Sequence, residues 1–303
     1  MKKDRITVVV PCFNEQESLP LFYNEICKVS EEMKEKADFT FLFIDDGSND
    51  HTLQFLRQLN ETDSRVHFIS FSRNFGKEAA IFAGLQHADS EYTVVMDADL
   101  QHPPAFIPQM YDAVASGEFD CAATCRLSRK GEKPIRSFFA SLFYKWNNRL
   151  SSTKIVEGGQ DFRFMSRKVV EAVLQLSETN RFTKGIFNWV GFQTKYIPYE
   201  NVERAAGQSK WSFYNLLRYS LEGILAFTTA PLLLPLLFGG ILLAVGVGCL
   251  LATLISSLPC IYAVLCFLVG IQLVCLGIVA QYFAKMYWEV KKRPIYIAKE
   301  MKL

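Results

Sequence analysis

The stretch Tyr92-Thr-Val-Val-Met-Asp-Ala-Asp-Leu-Gln-His-Pro103 opens as a short apolar, β-branched run and closes in two carboxylates, a glutamine and the start of a proline pair. The run has the pattern of a buried strand. Pro103 and Pro104 lack backbone N–H donors and forbid its continuation. Asp97 and Asp99, two residues apart at a strand end, are placed to converge on one hard cation. Mg2+ or Mn2+ held by one or two carboxylates completes its shell with waters and substrate phosphates. Open α/β sheets gather their ligands at the carboxyl ends of the strands. The stretch therefore reads as a metal and diphosphate site, the plainer alternative being an acidic turn in which Asp99 caps the next helix.

Working outward, the same alternation recurs. Residues 6–10 form a β-branched run broken by Pro11, and 17–36 carry a helical pattern. Residues 39–44 are a second apolar strand, ending in Asp45-Asp46-Gly47-Ser48, a turn whose glycine permits positive φ. A helix from about Thr52, a strand over 66–71 and a helix over 77–87 follow. Past Pro104 come a helix over 105–115, a strand over 120–124 and an edge strand over 193–199. Strands alternating with helices predict an α/β domain with a mostly parallel, doubly wound sheet. Asn14 and Glu15, Asp45 and Asp46, Arg73 and Asn74, then Asp97 and Asp99 leave successive strands at one edge.

Three motifs stand at these strand ends: Pro11-x-Phe-Asn-Glu15, Ile44-Asp-Asp-Gly-Ser48 and Asp97-Ala-Asp-x-Gln101. In this order they resemble the inverting glycosyltransferases of family 2, which bind nucleotide-sugars on the Rossmann-like GT-A fold. The resemblance implies a donor side built from Pro11, Phe13, Asn14, Glu15, Asp46, Ser48, Lys77, Asp97, Ala98 and Gln101. A carboxylate there would accept from the base or ribose. It implies that Asp97 and Asp99, with Gln101 beside them, hold Mg2+ or Mn2+. Glu15 and Asp46 also have ordinary readings as helix-cap and turn residues. Gly158-Gly-Gln-Asp-Phe-Arg-Phe164 resembles the family's acceptor-side segment, with Asp161 a base or an orienting group. Processive polysaccharide synthases carry Gln-x-x-Arg-Trp at a comparable place. Here Gln160-x-x-Arg163 ends in Phe164, which argues against a processive enzyme.

Composition narrows the setting. A formal net charge of +2 over 303 residues implies no polyanion-binding field, so no nucleic-acid partner is expected. The eight cysteines form no paired framework, and Cys121 with Cys125 lacks a second pair for zinc, which suits a reducing compartment. The first residues run into a strand without an apolar signal region.

Beyond Thr124 the alternation stops. Arg126, Arg129, Lys130, Lys133 and Arg136 make a basic loop, followed by an aromatic, helically spaced stripe over about 134–150. Such a stripe flanked by cations suits a membrane interface. A second amphipathic stretch occupies 212–230. Residues 232–254 and 260–283 carry no charge, and each exceeds the roughly 20 residues that span a bilayer. They predict a transmembrane hairpin over 231–284, between a catalytic domain over 1–211 and a basic tail over 285–303. Cations flank both ends of the hairpin and none lies in the Ser256-Ser257-Leu258-Pro259 turn. The positive-inside rule then places the catalytic domain and both termini in the cytoplasm, in a multi-pass inner-membrane protein.

A nucleotide-sugar domain on the inner face implies an acceptor resident in that membrane. Over its whole length the chain resembles the polyprenyl-phosphate glycosyltransferases: the bacterial undecaprenyl-phosphate glucosyltransferases first, and the dolichol-phosphate mannose synthases. The resemblance implies transfer of a hexose, glucose from UDP-glucose, to a polyprenyl phosphate gripped by Arg126, Arg136, Arg204, Ser209 and Lys210. Asp99, Asp161 and Arg126 would be nearest the chemistry. GDP-mannose or UDP-N-acetylglucosamine as donor, a non-lipid acceptor, and a homo-oligomeric state stay open on the sequence alone.

Overall fold

The computed structural model describes residues 3–126, 156, 158–179, 181–200, scattered positions between 232 and 248, and 261–303. Four apolar runs become the strands β1 (Asp4–Cys12), β2 (Ala37–Asp45), β3 (Val66–Phe71) and β4 (Tyr92–Val95). They pair in parallel in the spatial order β4-β1-β2-β3. Parallel strands covered on both faces read as continuous hydrophobic runs. In β1 the period of two splits that run between two cores: Val8 and Val10 face one layer and Val9 the other.

On the first face lie α1 (Leu19–Glu32), α2 (Thr52–Thr62) and α4 (Ile107–Ala115), the last entered through a short 3-10 turn at Pro104–Phe106. Helix α1 is shorter at both ends than its sequence pattern. Its first turn is set at Ser18 and Pro20, and its last residues unwind to deliver Ala37 to β2. On the second face lie α3 (Lys77–His87), α5 (Arg167–Gln175) and α6 (Thr183–Trp189). Helix α3 sits on β1 at backbone distance, because a Cβ on Gly84 would lie 2.0 Å from Val9 Cγ1. That close seat fixes where the first residue of α3, Lys77, stands.

Past β4 the sheet gains the two strands expected over 120–124 and 193–199 and one, β6, that the sequence pattern does not announce. β5 (Cys121–Arg126), β6 (Gly159–Ser166) and β7 (Thr194–Tyr199) extend it, giving the order β7-β5-β6-β4-β1-β2-β3-β8. β7 lies at the edge, as expected. β6, in contrast, inserts antiparallel between β4 and β5. Four of the seven strand pairings are parallel, so the sheet is mixed although mostly parallel.

Two C-terminal expectations change. The second uncharged stretch belongs to a longer helix, α7 (Ile261–Lys291), which runs through Lys285 and Glu289. It stops where Lys292 turns left-handed (φ 46°) and Pro294 follows. Residues 285–303 are not a free tail. Ala298–Lys302 form β8, antiparallel to β3, with the Tyr296 ring stacked 4.9 Å from Phe71 and Arg57 paired to Glu300 at 2.5 Å. Within α7, Leu268–Lys291 is long and apolar enough to cross a membrane. The stripe over 134–150, the stretch over 212–230 and most of 232–254 lie outside the described residues.

Candidate active site

The carboxyl ends of β1 to β4 open onto one cleft of about 290 Å3. Pro11, Phe13, Glu15, Asp46 and Lys77 line it, with Asp97, Ala98 and Asp99 across the floor. Cys12, Asn74, Gly76 and Ala80 complete the wall. The motifs do not single out these four, although Asn74 is among the strand-end polar groups. Cys12 is buried and its thiol is pushed well up, chiefly by burial with nearby carboxylates adding to it, so it is no nucleophile.

Several motif residues brace the loops that shape this cleft. Asn14 takes a left-handed conformation (φ 54°), its N–H donates to Ser48 Oγ at 2.9 Å, and its Oδ1 accepts from Asn49 N at 2.8 Å. Glu15 N donates to Thr52 Oγ1 at 2.8 Å, while its carboxylate accepts from Ser18 Oγ at 2.5 Å. Asp45, buried at the end of β2, accepts from Ser48 N at 3.0 Å and Ser70 Oγ at 2.7 Å. Gly47 passes close beneath the next loop at φ 68°, where a Cβ would lie 2.5 Å from the Arg73 carbonyl carbon. The motif spacing is thus the spacing of a cross-braced rim.

Asp46 ties this rim to α3. Its carboxylate accepts from Phe75 N at 2.6 Å and Gly76 N at 2.9 Å, just before the helix. Burial pushes its pKa up to about 6, against those two amides, which favour the charged form. Lys77 follows as the first residue of α3 and reaches across the cleft. Its Nζ lies 2.7 Å from Asp97 Oδ1, 2.9 Å from Asp97 Oδ2 and 2.8 Å from Asp161 Oδ2. Burial opposes both charges of the Lys77–Asp161 pair. The pair prevails nonetheless: Asp161 stays well below the usual carboxylate range, Lys184 assisting, and Lys77 is raised.

Asp161 comes from β6, so the insertion of that strand beside β4 brings it to the Asp97 edge. Its neighbour Arg163, buried on the same strand face, lies over the Phe187 ring at 4.6 Å. Next along the floor, Asp99 Oδ1 accepts from Gln101 N at 3.1 Å, and Leu100 between them is left-handed (φ 57°). Gln101 reaches Asp99 through its backbone, and its side chain is not part of the cleft wall described above. His102 is buried beneath, with Nδ1 2.8 Å from the Tyr199 hydroxyl and its ring against Phe162. Burial lowers its pKa, against the pull of the nearby carboxylates. Arg126 ends β5 in register with Tyr199. Arg136, Arg204, Ser209 and Lys210 lie outside the described residues.

The family model described as glycosyl transferase family 2 matches residues 7–174. The chain is also 41% identical to CsbB of Bacillus subtilis (strain 168), over 99% of this chain and 93% of that protein. This chain is a family 2 glycosyltransferase. It is 38% identical to the SfII prophage-derived bactoprenol glucosyl transferase of Shigella flexneri, over 98% of each chain. It has the same identity, over 98% of its length and 99% of theirs, to the prophage bactoprenol glucosyl transferase homolog of Escherichia coli (strain K12). Among solved structures, the mannosyltransferase PcManGT from Pyrobaculum calidifontis in complex with GDP-Man and Mn2+ superposes with a TM-score of 0.48 at 17% identity. That match covers 95% of this chain and 86% of the other.

In this family 2 glycosyltransferase the donor set fits the implied divalent ion. Among the described residues no three His, Cys, Asp or Glu side chains converge into a closed cage. Asp97 and Asp99 instead present two hard oxygen ligands on the wall of an open cleft. Two carboxylates with substrate oxygens completing the shell is the arrangement that Mg2+ and Mn2+ accept.

Proposed function

We propose that this glycosyltransferase moves a hexose, glucose from UDP-glucose, onto a polyprenyl phosphate at the cytoplasmic face of the membrane. The observation that carries this reading is the match along the whole chain, apolar C-terminal helix included, to proteins named bactoprenol glucosyl transferases. Glu15 and Asp46 would recognise the nucleoside, and Asp97 and Asp99 would hold the divalent ion, with Gln101 beside them. When bound, that ion neutralises the departing diphosphate.

The acceptor is a phosphate monoester, substantially ionised near neutral pH because its second pKa is about 6. Its oxygen attacks the anomeric carbon as the bond to the nucleoside diphosphate breaks, inverting an α-linked donor to a β-linked product. A strong general base is not needed. This agrees with Asp161, whose ion pair to Lys77 leaves it a weak base and a group suited to orienting. Arg126, with Arg136, Arg204, Ser209 and Lys210, would grip the acceptor phosphate.

The test is transfer of label from UDP-glucose to purified undecaprenyl phosphate by the full-length protein. Label passing instead from GDP-mannose, or to water-soluble acceptors alone, would overturn the reading. The same assay should show a pH dependence set by Asp46. A carboxyl raised to about 6 in the free enzyme must lose its proton to accept from the nucleoside, so the KM for UDP-glucose should rise as pH falls through about 6. Asp46→Asn should weaken donor binding and flatten that dependence.

A parity argument supports the proposed membrane topology. β7 and β8 belong to one sheet, on one side of any bilayer, so the chain between Tyr199 and Ala298 must cross it an even number of times. If α7 is one crossing, the uncharged residues 232–254 would supply the second; both termini then share a side, which the flanking cations would make the cytoplasmic one. In a background cleared of native cysteines, Ser257→Cys should react with an impermeant thiol reagent in intact cells and Ser209→Cys only after lysis. Labelling of Ser209→Cys in intact cells would reverse the topology.

A further inference from the structure

The ammonium of Lys77 sits between the carboxylates of Asp97 and Asp161. Its three N–H donors are accounted for by the two oxygens of Asp97 and one of Asp161. Asp97 is also the residue that should meet the divalent ion, and both of its oxygens face the ammonium. Metal and lysine therefore compete for one carboxylate.

The root of Lys77 does not move with its tip. Gly76 N is bound to Asp46, and α3 is seated on β1 at Gly84 with no room for even a methyl group. Only the side-chain torsions are free, and they sweep the same cleft that Asp46, Asp97 and Asp99 line. Counting formal charges, Asp97, Asp99 and Asp161 carry three negatives and Lys77 one positive. Lys184 adds a further positive charge near Asp161, so the set stays net negative with Lys77 present and more so when it is absent.

We propose that Lys77 is a positioning residue that couples metal loading to donor binding. It holds Asp97 while the cleft is empty and gives it up when a nucleoside diphosphate offers the ammonium other anionic oxygens. This rests on the nucleotide-sugar reading above. An ion entering alone must displace the ammonium from Asp97 and leave it Asp161 as its carboxylate partner, with no donor oxygens to replace the two it loses. An ion entering with a diphosphate finds Asp97 released. Coupling of this kind is reciprocal and typically ~5–150-fold in affinity.

The experiment titrates Mn2+ into full-length, detergent-solubilised protein, following free Mn2+ by electron paramagnetic resonance with and without UDP. The wild type should bind Mn2+ weakly alone and considerably more tightly with UDP. Lys77→Met should bind Mn2+ alone about tenfold more tightly, and the extra tightening from UDP should shrink by about the same factor. Mn2+ without UDP should also raise the melting temperature of Lys77→Met more than that of the wild type. Lys77→Gln provides a second neutral variant if the methionine variant does not fold. Lys77→Arg, which keeps the charge, should keep most of the coupling. Wild-type coupling that persists unchanged in both neutral variants overturns this inference alone. Failure of the wild type to bind Mn2+ even with UDP overturns the metal reading, and this inference with it.

Discussion

Asp99→Asn is expected to lower sugar transfer by about 10³-fold while leaving the fold intact, a loss typical of removing a group that stabilises developing transition-state charge. Asparagine has nearly the same shape, and its Oδ1 can still accept the 3.1 Å bond from Gln101 N. The left-handed turn at Leu100 is therefore preserved, and thermal unfolding should shift by no more than a degree or two. The change removes one of the two carboxylates proposed to hold the divalent ion at this cleft. The diphosphate would then depart with its charge poorly neutralised, which is felt in the transition state more than in the bound donor. The signature is a fall in kcat larger than any rise in the donor KM. Near-normal turnover in chelator-treated buffer would sink the metal assignment.

Removing residues 298–303 should destabilise the fold measurably, because it strips the edge strand β8 from the sheet. β8 pairs with β3 at Phe68, Ile69, Ser70 and Phe71, and the preceding Tyr296 covers Phe71 while its hydroxyl meets His87 and Gln86. Tyr296 is left without the strand that anchors it, and at about 1 kcal/mol net per hydrogen bond the loss of the β3–β8 pairing is on the order of 3–4 kcal/mol. For a protein of this size that is a fall in melting temperature of roughly 10 °C. The exposed Arg57–Glu300 pair adds little. Because Ser70 Oγ holds Asp45, and Asp45 holds Ser48, fraying of β3 also loosens the donor rim. A chain cut after Lys210 loses β8 together with the apolar helix, so it should show weakened donor binding as well as lost lipid transfer. The deleted strand would leave an unpaired edge prone to association. An unchanged melting curve for the deletion would show that β8 is not part of the working sheet.

What could be read from the chain by itself is what local pattern controls. The strands β1 to β4 and the helix α2 declare themselves because their apolar pattern is contained within ten or so residues. The polar residues at their ends are legible because a parallel sheet brings every such end to one edge. Pro11, Glu15, Asp46, Asp97 and Asp99 meet around one cleft for that reason.

Three features needed the tertiary structure. β6, with Gln160, Asp161 and Arg163 in its run, has the composition of a surface segment. It becomes a central strand because Phe162 and Phe164 fill one core, while Arg163 finds the Phe187 ring on the other face. β8 reads as a basic tail, since an edge strand with one open side tolerates Lys299, Glu300 and Lys302. The ion pair between Lys77 and Asp161 joins residues 84 apart, and no spacing encodes it. In each case the deciding partner lies far away in sequence. Hydrogen bonds across a sheet and charges across a cleft are satisfied only once the strands between them have taken their places.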